Sequence, residues 1–351
     1  MKKGFLVLLV VCLLAVFFAG CNDAGGGSEP EVIPDSEIAG YVADLTDASF
    51  TLIISVGDEE SAIDGKVKKN RAEITYSDGE DTTRSVYILD GGFSYGYLIA
   101  DEGAVLCEKV PYATGSTEPT DENGEEEIEE TYRLSDFLDR AEKGVQEHTR
   151  GFSWKKYLAN VDDKMKIEYE SGNYTVVGAV RVGAGNMGTE TYDKPSFIEA
   201  TADDVDGYDH CSVYACAEID GEIAVALSYL FDGEKARLDI LFQAFGVWFR
   251  QVNYLVKEGD RLYFYSQEEE WQYTDLYAAF TPSAVVKTTA ELLLIINDLR
   301  LSDAFGANGY YCAMDGEPGI FRCYFSESDE TVVFPEEMNS SKDRAERIVN
   351  Y

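Results

Sequence analysis

Four stretches of this chain hold residue types at spacings that catalysis uses. Gly92-Phe93-Ser94-Tyr95-Gly96 fits GxSxG, in which a serine on a strained strand-to-helix turn attacks an acyl carbon. The residues after Ser94 read as strand rather than helix, and the chain offers only His148 and His210 as bases. Ser153-Trp154-Lys155-Lys156 fits SxxK, yet no SDN or KTG string accompanies it. Gly183-Ala184-Gly185-Asn186-Met187-Gly188 follows a strand pattern and fits GxGxxG. A dinucleotide site needs a helix next, so that its N-terminal amides meet the pyrophosphate. Here Thr189 to Phe197 has no helical period, with Pro195 inside it. Asp203, Asp204, Asp206 and Asp209 beside His210 are the tightest acidic cluster. A raised carboxyl pKa would require burial, and this polar stretch with Gly207 reads as a surface loop. No string has its required context, so the expectation is a protein that is not an enzyme and uses no cofactor.

Seven cysteines are present: Cys12, Cys21, Cys107, Cys211, Cys216, Cys312 and Cys323. The sequence favours a disulfide between Cys312 and Cys323, because YYCAM and IFRCYF flank Asp315-Gly316-Glu317-Pro318-Gly319, a turn signal that would set the two opposite each other. Cys211 and Cys216 are an odd number of residues apart, so on one strand they face opposite sides. With two histidines and no CxxC pair, a metal site is not expected.

Charge excludes one large class of function. The chain carries 29 basic and 66 acidic residues, a net charge of −37. So negative a surface repels nucleic acid and anionic lipid headgroups. Hydrophobic residues make up 45% and aromatics 13%, which excludes a disordered acidic tail.

Residues 1–20 read as a signal peptide. Lys2 and Lys3 precede an uncharged apolar run from Phe5 to Phe18, and small residues lead into Cys21. The run has 14 residues, short of the roughly 20 a span needs. Phe18-Ala19-Gly20-Cys21 resembles the lipobox of bacterial lipoproteins, which implies lipidation at Cys21 and an exported protein anchored to the outer face of a bacterial membrane. Phe18 stands where that family usually has Leu. Residues 21–35, rich in Gly, Ser and Pro, then form a flexible tether.

The remainder divides into two β-rich domains, 36–195 and 196–351. Ser36 caps a short helix with Ile38, Tyr41, Val42 and Leu45 on one face. Strand patterns follow at Phe50–Val56, Ala62–Val67, Arg71–Tyr76, Arg84–Leu89, Phe93–Ile99 and Ala104–Val110, separated by turn residues. Residues 113–130 are an acidic low-complexity loop. Ser135 caps a helix to Glu147, and strands return at Met165–Tyr169 and Tyr174–Val182. The second half shows strands at Ser212–Glu218, Ile223–Phe231, Ala236–Phe242 and Arg250–Leu255. It then shows a helix at Ser283–Leu299 and a closing strand at Thr331–Phe334. Ser36–Leu45 and Arg84–Leu89 have counterparts at Ser196–Val205 and Arg250–Leu255, which suggests a duplication. The expected class is α+β, mainly β: a curved antiparallel sheet, a half-open barrel, with covering helices.

Aromatics recur on consecutive strands. Core packing accounts for most of them, but a curved sheet under helices also makes a lined cavity. Tyr95, Tyr97, Phe245, Trp248, Tyr263 and Tyr265 are the candidate lining. The run FTLIISV, the pair around Lys68-Lys69-Asn70-Arg71 and YILDGGFSYGYLI resemble the LolA/LppX-type superfamily of exported lipid carriers and lipoproteins. That resemblance implies a half-barrel holding an apolar ligand or lipid between sheet and helices. The alternative is a structural lipoprotein whose aromatics are all core and which meets an envelope protein partner.

Overall fold

The computed structural model describes residues 36–79, 81–100, 103–112, 131–161, 164–188, 190, 192, 198–200, 208–219, 222–259, 261–265, 271–274, 280–286, 299–306, 309–314, 317–335 and 346–347. The expected signal peptide, tether and acidic loop 113–130, with Asp203, Asp204 and Asp206, lie outside them. The fold is mainly β, with two large antiparallel sheets, neither closed into a barrel, and few helices. Among the described residues no helix is long and apolar enough to cross a membrane.

The chain forms two compact units. Unit 1 comprises residues up to Val105, Pro111–Glu190 and Gln243–Trp248, and unit 2 comprises Leu106–Val110, Thr191–Phe242 and the chain from Phe249. The main break, at Glu190/Thr191, falls close to the expected boundary at 195/196. The two short segments depart from a simple division into halves.

Sheet 1 starts with a meander of β1 (Asp47–Val56), β2 (Glu59–Lys68), β3 (Arg71–Asp78), β4 (Asp81–Asp90), β5 (Phe93–Ala100) and β6 (Gly103–Pro111). Helices α1 (Ser36–Ala43), α2 (Leu134–His148) and α3 (Trp154–Tyr157) accompany it, followed by β7 (Leu158–Val161), β8 (Lys164–Ser171) and β9 (Tyr174–Val182). The strand order is β6-β5-β4-β3-β2-β1-β9-β8-β7. Alternation along β1 buries Ala48, Phe50, Leu52 and Ile54 on one face. Register adds Ile63, Val67, Ala72, Ile74, Tyr87, Val176, Val180 and Ile167 to that face. The apolar stripe expected on α2 (Phe137, Leu138, Ala141 and Val145) is fully buried. Glycine makes two close approaches here. A Cβ on Gly65 would run into the Phe50 ring, and one on Gly178 into Leu52.

Sheet 2 contains β10 (Ile198–Ala200), β11 (His210–Ile219), β12 (Glu222–Asp232), β13 (Lys235–Ala244), β14 (Val247–Glu258), β15 (Arg261–Tyr265) and β16 (Trp271–Thr274). It continues with β17 (Leu299–Gly306), β18 (Gly309–Met314), β19 (Glu317–Glu327) and β20 (Glu346–Arg347). Its order is β17-β18-β19-β11-β12-β13-β14-β15-β16-β20, with β10 beside β19. Read from β16 to β17, this repeats sheet 1 strand for strand. In each, six strands meander, and a later three-strand meander returns its last strand beside the first. The two halves share one winding, as a duplication would require. They differ at the start, where Ser36–Ala43 is helix while Ile198, at the matched position, lies in a strand paired with β19.

Several local expectations need correction. Ser135 is not the cap of α2: its hydroxyl donates to the Ala43 carbonyl at 3.0 Å, while the Asp136 carboxylate accepts from the Arg133 N–H at 3.0 Å. Tyr41, expected on the apolar face of α1, is 56% exposed, and Val42 alone of that pair is buried. Of the helix expected over Ser283–Leu299, residues up to 286 are helical, 287–298 lie outside the described residues, and Leu299 opens β17. Thr331–Phe334 is not a strand. Its Val332 N–H donates to Asp232 Oδ2 at 2.9 Å, and Phe334 packs edge-on to Tyr254.

Candidate functional site

The expected Cys312–Cys323 bridge does not fit the register. Hairpin β18–β19 closes between Met314 and Glu317, which places Cys312 opposite Gly319. Cys323 lies four residues further along β19, opposite Ala215 and Ala200. Four strand residues span about 13 Å, while a disulfide needs Cα atoms about 4.4–6.8 Å apart. The turn is shorter than the Pro-Gly-containing signal implied, because Glu317, Pro318 and Gly319 already belong to the strand. Cys211 and Cys216 do face opposite sides of β11. Cys211 lies in the apolar core with Val213, Ala215 and Phe231, and Cys216 shares the other face with Tyr214. Burial pushes the Cys211 thiol up to about 11 and the Cys216 thiol up to about 12.

Each catalytic-looking string has a structural occupation. Ser94 follows the Gly91-Gly92 hairpin turn, where both glycines have positive φ, and continues into β5. Its buried hydroxyl lies 2.7 Å from the Tyr132 hydroxyl. Ser153 begins the single turn α3, and Lys156 lies over the Tyr157 ring at 4.9 Å. No helix follows Gly183–Gly188 among the described residues; Gly185 N–H donates to Asp47 Oδ1 at 3.0 Å. A Cβ on Gly185 would meet the Val67 carbonyl, so this glycine serves close packing against β2. Asp209 and His210 are exposed at the start of β11. Among the described residues no group of three or more His, Cys, Asp or Glu is placed to hold a metal ion.

The six candidate cavity residues are divided between the two units. Tyr263 and Tyr265 belong to unit 2, where Tyr265 joins Val256 in a small core and Tyr263 packs against Tyr273 at 5.6 Å. Tyr95, Tyr97, Phe245 and Trp248 belong to unit 1. Tyr97 is buried, and desolvation raises its phenol pKa.

Phe245 and Trp248 take part in the most specific arrangement in unit 1. Phe245 and Gly246, with φ of 52° and 78°, form the turn between β13 and β14. The Phe245 ring stacks on Tyr76 at 4.5 Å and 8° between planes. A Cβ on Gly144 of α2 would strike the Phe245 backbone. A Cβ on Gly246 would approach Ile74 of β3 at 2.7 Å and the Ala141 amide of α2 at 3.3 Å. Tyr87 donates to the Gly246 carbonyl at 3.3 Å, and Trp248 N–H donates to Ser85 Oγ at 2.9 Å. The segment 243–248 is therefore wedged between α2 and the inner face of β3 and β4. Residues expected to line a cavity instead occupy the space between helix and sheet. A signal for this was present: Ala244-Phe245-Gly246-Val247 is a turn without polar side chains, and an apolar turn needs burial.

The second notable arrangement is in unit 2. One face of sheet 2 is the apolar core already described, and the other carries polar groups. Asp239 pairs with Arg237 at 3.2 Å and lies 3.9 Å from Arg250, while Glu218 pairs with Arg322 at 3.3 Å. Tyr214 donates to the Cys107 carbonyl at 2.8 Å, and Lys109 lies over the Tyr324 ring at 3.9 Å. Burial raises the Tyr214 pKa well above its ordinary value. Both carboxylates, Asp239 and Glu218, are paired with guanidinium groups.

No family model and no curated protein matches the chain. Two solved structures give faint likenesses. One, described as a DNA polymerase III beta subunit from Eubacterium rectale, is 10% identical with a TM-score of 0.11, over 90% of this chain and 69% of that one. The other, domains LG4-5 of the mouse laminin alpha1 chain, is 8% identical with a TM-score of 0.10, over 65% of this chain and 71% of that one. At such scores neither bears on fold or function.

Proposed function

We propose that this chain is a non-enzymatic lipoprotein, anchored through lipid on Cys21 to the outer face of a bacterial membrane, whose sheets form an interaction scaffold for an envelope protein. One observation carries the choice of scaffold over carrier. Phe245 and Gly246 occupy space between α2 and sheet 1 that an apolar ligand would require, and Trp248 is buried with its amide on Ser85. The catalytic-looking serines and glycines each hold a structural contact, which supports a non-enzymatic role. The excess of acidic residues favours a cationic partner and disfavours nucleic acid.

Mass spectrometry of the full chain, expressed with its signal and extracted from bacterial membranes, tests both parts. Acyl mass on Cys21, absent from Cys21→Ser, is expected. A native spectrum taken after incubation with envelope lipid extract should show no further adduct. A lipid adduct that leaves on denaturation would replace the scaffold with a carrier.

A further inference from the structure

We infer that the outer face of sheet 1, at its β7–β8–β9 edge, is a contact surface for anionic lipid headgroups; this rests on the anchored reading above. The face opposite the helices gathers cations in a chain whose net charge is −37. Register puts Lys68 opposite Asp47 and Arg71, Lys66 opposite Ser49 and Glu73, and Ser49 in turn opposite Arg181. Lys164 and Arg181 each adjoin the Met165–Val180 pair at the end of the β8–β9 ladder, and Lys166 faces Ala179 and Ala159. Lys66 and Arg84 are ion-paired to Glu73, Lys68 to Asp47, and Arg71 donates to the Glu190 carbonyl.

Lys164, Lys166 and Arg181 differ: among the described residues none of them has an ion-pair partner. Lys166 is flanked by Ala179 and Ala159, and Lys164 and Arg181 lie just past the Met165–Val180 pair, so the three cations meet no carboxylate across the ladder. The turn sequence adjoining Lys164 also contains Asp162 and Asp163. Exposed Val161 lies opposite Lys164, while exposed Val177, further along the same face, lies opposite Glu168, where the cationic patch ends. Cations beside exposed aliphatic groups suit a headgroup boundary.

The position suits it as well. α1, the first described element after residues 21–35, packs against β7, the strand that carries Val161. The far end of the sheet is acidic, with Asp58, Glu59, Glu60, Asp78, Asp81 and Glu170 at its turns. At physiological salt, charges act over about 8 Å. At contact, therefore, the local face decides and the net charge does not. An anchored chain would rest with this edge against anionic lipid and its acidic turns outward.

The test uses the full acylated chain, reconstituted in vesicles of phosphatidylcholine alone or of two parts phosphatidylcholine to one part phosphatidylglycerol. An environment-sensitive dye is placed on Val161→Cys or, as control, on Glu59→Cys; the native Cys107, Cys211, Cys216 and Cys323 are buried. Emission from the Val161 site should rise on the anionic vesicles only, the Glu59 site should not respond, and high salt should abolish the rise. Each of Lys164→Gln, Lys166→Gln and Arg181→Gln should lower the lipid-facing population about fivefold. Equal emission on both vesicle types, or a response to soluble polyphosphate in place of vesicles, overturns the inference. Intact mass reports the anchor separately. A chain without acyl groups whose dye still responds to added anionic vesicles removes the anchor and keeps the surface; an acylated chain without response does the reverse.

Discussion

Trp248→Ala is the perturbation that discriminates most sharply between a filled core and a ligand cavity. The Trp248 side chain is 2% exposed, and its backbone amide is fixed by Ser85 within unit 1. Truncating a buried Trp costs about 3–5 kcal/mol when the surroundings cannot close the void. Closure is hindered here, because Gly144 and Gly246 already bring α2 and the 243–248 turn as near as backbones can come. With a urea m-value of about 2 kcal/mol/M, the unit 1 transition should fall by roughly 1.5–2.5 M. Unit 1 and unit 2 need not melt together, so the transition must be read locally, from the emission of the buried Trp154. Tyr263→Ala, at a half-buried position of unit 2, should leave that transition unmoved. A midpoint shift below about 0.5 M for Trp248→Ala, equivalent to about 1 kcal/mol, would refute the reasoning. Trp248 would then line a space with room to spare, and the carrier reading would return.

Gly65→Ala should destabilise unit 1 by about 1–3 kcal/mol in the same assay, since the new methyl and the Phe50 ring cannot share one site; pairing it with Phe50→Leu should recover part of the loss. Ser94→Ala should cost about 1–3 kcal/mol in urea unfolding, because it leaves the buried Tyr132 hydroxyl without that partner; any esterase activity of the preparation should be unchanged. Cys211 and Cys216 should resist a thiol-specific reagent in the native chain at pH 8 and react fully in denaturant. Burial raises their folded pKa values from 9.0 to about 11 and about 12, so the unfolded state loses these protons first. Their contribution to stability is fully present below pH 9 and is lost as pH rises from there through about 11 and 12. Urea midpoints measured across that range should fall, and Cys211→Ala with Cys216→Ala should flatten the fall.

Much of the fold was legible because period-two burial is local information. FTLIISV and its neighbours alternate, glycine and aspartate mark the turns, and all eight strands expected within residues 36–195 are present in sheet 1 within a few residues. The helix around Phe137 and Val145 was equally plain from its stripe. The capping residue was not, since Ser135 and Asp136 both suit a helix start and only the carbonyl of Ala43 decides between them.

What the sequence determined by itself was the signal-like start, the charge balance, the β-rich class and the recurrence of its strands. All of these are sums or short-range patterns. What tertiary structure decided was pairing and occupancy. Cys312 and Cys323 looked well placed until the β18–β19 register was set by a turn closing between Met314 and Glu317. Phe245 and Trp248 looked like the walls of a cavity until the turn that carries them lay between α2 and β3. Lys66 on β2 is distant along the chain from Lys166 and Arg181 on the β8–β9 hairpin, and register alone gathers them on one face of sheet 1. A chain encodes each partner locally, but which partner it meets depends on contacts distant along the chain, and those form only when the sheet does.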